Sequence, residues 1–128
     1  MKRIPLLVMI AGLLGAPLAA FAHAHLEHSE PADNSTLITA PDHFILMFSE
    51  AAHLTALTLQ REGDATAQKI AGLPRQASDH FSIPAPKLAA GVYTLKFRNV
   101  AADDNHVTSG TIRFTVAANA SPAGPGSR

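Results

Sequence analysis

The chain has 128 residues, with 10 Lys and Arg against 10 Asp and Glu, 7 His and no Cys. This length fits a single small domain with one core. The balanced charge, with no basic run, argues against nucleic acid as a partner. Without cysteine there is no disulfide framework, and any metal site must use nitrogen, oxygen or thioether ligands.

The first 22 residues have the pattern of a secretory signal peptide. Lys2 and Arg3 precede an almost entirely apolar run, and Ala20-Phe21-Ala22 supplies the small-x-small pattern of a cleavage site. The alternative is a retained anchor, but the run is marginal in length and interrupted by Gly and Pro. We expect residues 1–22 to be removed on export to the periplasm, which leaves a mature chain that is not embedded in the membrane. Cleavage after Ala24 satisfies the same pattern, so both cleavage sites stay open.

The rest of the chain has the pattern of a small all-β domain. The predicted strands, in chain order, are residues 43–49, 54–60, 80–83, 91–98 and 110–116. Apolar and polar residues alternate in the last two, as in half-buried strands. Residues 43–49 are apolar on both faces, as in a central strand, and Met47 within them is expected to fill the core.

Turn-forming residues separate these segments, and no convincing helical stripe is present. Several short strands with regular turn signals favour a β-sandwich or barrel. The last residues, 118–128, are rich in Ala, Gly, Pro and Ser and are predicted to be a disordered tail. The predicted folded domain is therefore residues 23–117.

Cleavage after Ala22 would place a histidine at the new N-terminus. All seven histidines of the chain follow that point, which directs attention to metal chemistry. The α-amine and the imidazole of His23 could chelate one ion together. Two nitrogen donors from one residue suit Cu(II), which favours nitrogen-rich tetragonal sites. The amine deprotonates readily on metal binding because its reference pKa is only about 8.

Two further candidates lie far along the chain. Asp104 and His106, two apart in the turn between the clearest strands, would project to the same side of an extended segment and offer one oxygen and one nitrogen to an ion. Alone, a D-x-H pattern is more typical of a turn with an Asx hydrogen bond and a solvated histidine. Glu50 ends the apolar strand at 43–49, where it could be a ligand, an acceptor that orients a histidine, or a plain surface charge.

A rival copper site uses the third mature residue, His25. An amine, two deprotonated backbone amides and this imidazole could form a local square-planar Cu(II) site that needs no folded partner. The two modes compete for one amine. The first is favoured because it also accounts for Asp104 and His106.

An ordered set of motifs resembles the CopC family of periplasmic copper-binding proteins. The set spans nearly the whole mature chain: His23-Ala24-His25-Leu26, Ser29-Glu30-Pro31-Ala32-Asp33, Ala40-Pro41, Phe48-Ser49-Glu50, Leu88-Ala89-Ala90-Gly91-Val92-Tyr93, Asp104-Asn105-His106 and Gly110-Thr111-Ile112-Arg113-Phe114-Thr115-Val116. The resemblance implies an immunoglobulin-like Greek-key β-sandwich in a single small domain.

The resemblance also implies one Cu(II) per chain, held by the amine and imidazole of His23, by Asp104 and by His106, with Glu50 near the same site. The spacing before His106 is one residue longer than usual in the family, so Asp103 stays an alternative to Asp104. Some relatives carry a methionine-rich loop for Cu(I), which this chain lacks. The implied role is copper resistance or homeostasis as a carrier or buffer, with a CopD-like inner-membrane copper transporter as partner.

Two other functions use the same sequence features. A copper-dependent oxidative enzyme can also hold its metal by an N-terminal histidine chelate, as lytic polysaccharide monooxygenases do. Such enzymes usually need a broad aromatic substrate face, and this chain has no Trp and one Tyr. A metal-free interaction module on the same sandwich is the other alternative. We predict a binding protein rather than an enzyme.

Overall fold

The computed structural model describes residues 24–121, and every regular element there is a β-strand. The strands are β1 (Leu26–Glu30), β2 (Ser35–Thr39), β3 (His43–Arg61), β4 (Gln68–Lys69), β5 (Ser78–Pro84), β6 (Gly91–Ala101) and β7 (Val107–Ser121). Within these residues, no helix has the length and apolarity to cross a membrane. The predicted signal peptide lies outside the described residues.

The strands form two packed layers that share β3. The part of β3 up to Phe48 pairs with β1 and β5, and the part from Ala52 onward pairs with β6. Ala52 also pairs with Ser78 of β5, and β4 pairs with the end of β3. β6 continues to β7, which pairs in parallel with β2 at the edge. Rings from β3 meet rings from the opposite layer: the Phe48 and Phe97 centroids are 5.5 Å apart, and those of Phe44 and Phe114 are 6.2 Å apart. The predicted all-β sandwich, in a single small domain, is confirmed.

The predicted strands at 80–83, 91–98 and 110–116 lie within β5, β6 and β7. Those at 43–49 and 54–60 are parts of one strand, β3, whose register with β6 shifts between Leu54 and Ala56. The extra residue of a bulge changes which positions face the core, so Leu54 and Leu57 are both buried although they are three apart. Because of this shift, the alternation of apolar and polar residues did not show that the two segments form one strand.

Two expectations at particular residues differ from the structure. Met47 was expected to fill the core, but it is 36% exposed because it lies on the outer face of the layer formed by β1, β3 and β5. The tail was predicted to begin at residue 118, but β7 extends to Ser121, where it still pairs with Thr39 of β2. Residues 122–128 lie outside the described residues.

The start of β6 is held by its tyrosine. The Tyr93 hydroxyl donates a hydrogen bond of 2.6 Å to the carbonyl of Ala89, four residues earlier. Its ring stacks on Phe114 of β7, with centroids 5.3 Å apart and an interplanar angle of 14°. A tyrosine that bonds back to the preceding backbone is a hallmark of immunoglobulin-like sandwiches.

Candidate metal site

The first described residue is anchored in the core. Ala24 is fully buried, and its carbonyl accepts hydrogen bonds from Asn99 Nδ2 at 3.2 Å and from Thr108 Oγ1 at 3.4 Å. Asn99 and Thr108 are directly opposite each other in β6 and β7. The chain therefore enters the fold across the β6–β7 hairpin close to its turn.

The next residue is fixed to β3 by three polar contacts with Ser49. The backbone amide of His25 donates to Ser49 Oγ at 3.1 Å, and the amide of Ser49 donates to the His25 carbonyl at 2.8 Å. The Ser49 hydroxyl also lies 3.1 Å from His25 Nδ1. These contacts place His25, which is exposed, beside the point where β3 passes between the layers.

The tip of the β6–β7 hairpin carries the predicted Asp and His. Asn105 adopts a left-handed conformation with φ of 59°, which asparagine tolerates better than most residues. Asp104 Oδ1 accepts a hydrogen bond of 3.0 Å from the His106 backbone amide, and the His106 carbonyl accepts one of 2.9 Å from Ala101. This Asx hydrogen bond brings the carboxylate close to His106 in a tight turn, so the extended segment expected at this pair is absent.

Glu50 lies between the N-terminal segment and the hairpin. Its neighbour Ser49 bonds His25, and the carbonyl of Ala51 accepts a hydrogen bond of 3.0 Å from the amide of Ala102. Glu50 is half-buried. We call this part of the molecule the hairpin end: residues 24–25, 49–51 and 101–106.

The hairpin end contains every predicted site residue that the structure describes. His25, Glu50, Asp104 and His106 all lie there, with the alternative Asp103 in the same turn. Residue His23 lies outside the described residues. Among residues 24–121, no three His, Asp or Glu side chains come together closely enough to hold a metal. The ligand roles of these residues therefore stay predictions.

The contacts of His25 bear on the rival copper site. In that site the His25 amide nitrogen and the ring nitrogen nearest the backbone, Nδ1, would both bind copper, because only Nδ1 closes a small chelate ring with the amide. Both atoms contact Ser49 Oγ in the fold. The Ala24 carbonyl is also held in the core. The rival mode would have to break both contacts with Ser49.

Sequence reasoning missed Asn99. The predicted strand ended at Arg98, yet the inward positions of β6 continue from Phe97 to Asn99 and Ala101, and all three are buried. A polar residue at the next inward position of an apolar face is the signal that could have identified it. Its Oδ1 is buried and has no hydrogen-bond partner among residues 24–121.

Comparison with known proteins identifies the family of this sandwich. A sequence profile of the CopC domain matches residues 26–117. The chain belongs to the CopC family. It is 34% identical over 119 residues to a protein of Xanthomonas campestris pv. juglandis named copper resistance protein C, covering 85% of this chain and 91% of that one.

A solved structure shows that the CopC fold is shared. The crystal structure of CopC from Methylosinus trichosporium OB3b superimposes with a TM-score of 0.62 at 23% sequence identity, covering 80% of this chain and 98% of that one. The match supports the β-sandwich architecture described above.

Proposed function

We propose that this CopC-family protein is an exported Cu(II)-binding carrier or buffer that acts in copper resistance in the periplasm. A relative that shares 34% of its residues is named copper resistance protein C. The observation that carries the proposal is the anchoring of Ala24 by Asn99 and Thr108, close to the turn of the hairpin that presents Asp104 and His106. Residue 23, the proposed copper ligand, directly precedes Ala24, whose carbonyl is held by these two hydrogen bonds.

The proposed ligands are the amine and imidazole of His23, a carboxylate oxygen of Asp104 and an imidazole nitrogen of His106. This nitrogen and oxygen set is typical of tetragonal Cu(II). Copper is the cargo of the protein, and this site holds one Cu(II) per chain. Asp104 fits the role better than Asp103, because its Oδ1 is already held against the His106 backbone.

Covalent geometry limits how far His23 can lie from these groups. Consecutive Cα atoms are about 3.8 Å apart, and Thr108, which bonds the Ala24 carbonyl, is two residues from His106. Two residues of a β-strand span about 7 Å. An N-terminal chelate anchored here is thus within side-chain reach of the hairpin tip.

His25 and Glu50 have secondary roles in this proposal. His25 joins the N-terminal segment to β3 through Ser49, and Glu50 adds negative charge beside the proposed ion. We further propose that the protein itself performs no catalysis and exchanges copper with a CopD-like transporter of the inner membrane.

The test begins with the full chain, expressed with export and purified from the periplasm. Native mass spectrometry of this form should give a mass that begins at His23 and carries one Cu(II). His106→Ala and Asp104→Asn should each lower Cu(II) affinity by at least about 100-fold, since even residues that merely orient ligands contribute about 10- to 100-fold. Competition against a chromophoric chelator measures the affinity.

Two controls sharpen the result. His43→Ala removes an exposed histidine next to Asp42, away from the hairpin end, and should leave the affinity unchanged. Inserting one alanine between Ala22 and His23 keeps every side chain but moves the amine one residue away, so it should weaken binding strongly. Full affinity in the insertion variant, or a mature form that starts after His23, would contradict the proposed chelate.

A further inference from the structure

Three side chains of types that can bind metals lie in one row across the outer face of the β1–β3–β5 layer. His28 of β1 is directly opposite Met47 of β3, and Met47 is directly opposite His80 of β5. All three are exposed on the same face, whereas the next row along the strands, Ser29, Leu46 and Phe81, is buried. The register therefore places a thioether between two imidazoles.

The spacing of the row suits a single ion above Met47. Opposite residues on antiparallel strands have Cα atoms about 4.5–5.5 Å apart, so the two histidines are about 10 Å apart at Cα with Met47 midway. Long side chains on neighbouring strands of one face reach each other at this spacing. Glu30 Oε2 lies 3.4 Å from His28 Nε2, so a carboxylate holds one ring nitrogen and leaves Nδ1 for a metal.

Met47 is a partly exposed apolar side chain on a mostly polar face. It is 36% exposed, and the other members of the face include His28, Glu30, His80 and Ser82, with the half-buried Ile45 as an apolar neighbour. It is also the only methionine beyond the predicted signal peptide. An apolar side chain in the middle of a polar row has a chemical use if its sulfur is a ligand.

We propose that His28, Met47 and His80 form a second metal site, on the sheet face, that binds one Cu(I) ion. Thioether and imidazole donors favour soft Cu(I), and carboxylates are not needed to balance its single charge. This site shares no residue with the hairpin end. It goes beyond the proposed Cu(II) function and does not depend on it.

The test uses Ag(I), a soft monovalent ion that is stable in air, on the exported protein purified from the periplasm. Because the chain has no cysteine, no thiolate competes for the ion. With the methionine methyl group labelled with carbon-13, one equivalent of Ag(I) should shift the Met47 signal. Met47→Leu, which nearly conserves volume, should lower Ag(I) affinity at least about tenfold, and His28→Gln and His80→Gln should do the same. Anaerobic competition for Cu(I) should give the same order of variants.

Two control variants separate this site from other possibilities. His53→Gln removes an exposed histidine elsewhere on β3 and should keep full Ag(I) affinity. His106→Ala should also keep it, even if Cu(II) binding is lost, so the two sites are tested independently. Equal Ag(I) affinity in wild type and Met47→Leu, or loss of Ag(I) binding in His106→Ala alone, would overturn the proposal.

Discussion

Asn99 is a polar side chain in an apolar core, and its hydrogen bonds have to offset the free-energy cost of removing it from water. Its amide nitrogen donates to the Ala24 carbonyl, but its Oδ1 is buried and has no partner in the described part of the chain. An unsatisfied buried polar atom costs about 1–3 kcal/mol. An apolar residue would pack at this position without that cost, but among residues 24–121 it would leave the buried Ala24 carbonyl with Thr108 as its one remaining side-chain donor. We infer that Asn99 is a positioning residue for the N-terminal segment.

We predict that Asn99→Ala lowers the free energy of unfolding by about 1 kcal/mol, since the lost hydrogen bond and the small cavity outweigh the removal of the unpaired Oδ1. We also expect Cu(II) affinity to fall about tenfold or more, because the chain at Ala24 loses its main anchor. Urea denaturation and chelator competition measure the two effects.

Ile83→Val is the control for Asn99→Ala. Ile83 is buried in β5, and this change should cost about 1 kcal/mol. It should leave Cu(II) affinity unchanged, because β5 pairs with β3, whereas the residues that bond the Ala24 carbonyl lie in β6 and β7. If both variants weakened copper binding in proportion to their loss of stability, Asn99 would have a purely structural role.

At the scale of elements, the start of β6 depends on the hydrogen bond from the Tyr93 hydroxyl to the Ala89 carbonyl. Burial raises the pKa of the Tyr93 hydroxyl above its ordinary value of 10.0, while Arg61 lowers this pKa and Asp64 raises it by smaller amounts. The unfolded chain then loses this proton at lower pH than the folded one, so the contribution of Tyr93 to stability is complete below about pH 10 and decreases above it.

Tyr93→Phe tests this account. The variant keeps the stacking on Phe114 but loses the hydrogen bond to Ala89, so it should be less stable by about 1 kcal/mol at pH 7. The difference in free energy of unfolding between wild type and variant should decrease between pH 10 and 11, because only the wild type has this phenol to ionise. Urea midpoints at pH 7, 9, 10 and 11 give the comparison, and a difference that widens with pH would refute the explanation.

The strand that the sequence predicted most directly has one uninterrupted apolar face. In β6, Tyr93, Leu95 and Phe97 all point inward without interruption, and this pattern alone located the strand. β2 has no such face, because it pairs with β7 at the sheet edge and leaves Ile38 75% exposed. In β1 a register shift before His28 interrupts the alternation. Edge position and bulges depend on neighbouring strands, so a local pattern cannot show them.

For the whole molecule, the candidate site joins segments that are far apart in the sequence. Ala24 bonds residues 75 and 84 positions later, and His25 bonds Ser49. The motifs at His25, Glu50 and Asp104–His106 could be recognised separately, and their order resembled that of a known family. Their convergence required the register of β6 with β7 and the passage of β3 between the layers. The bonds of Ser49 and Asn99 follow from that register and have no separate sequence motif.

A site built this way should stabilise the entire fold when copper binds. The proposed ion would tie the N-terminal segment to the hairpin between β6 and β7, in a domain that has no disulfide. A ligand that binds only the folded state at 100 times its Kd adds about 2.7 kcal/mol to stability, and each kcal/mol raises Tm by about 4–8 °C in a domain of this size. We therefore predict that Cu(II) raises the Tm of the exported protein by about 10–20 °C and that excess chelator reverses the shift. His106→Ala should unfold near the Tm of the copper-free wild type and gain little from Cu(II), whereas Met47→Leu should keep the full shift. A copper-induced shift that survives in His106→Ala would mean that the ion is held away from the hairpin end.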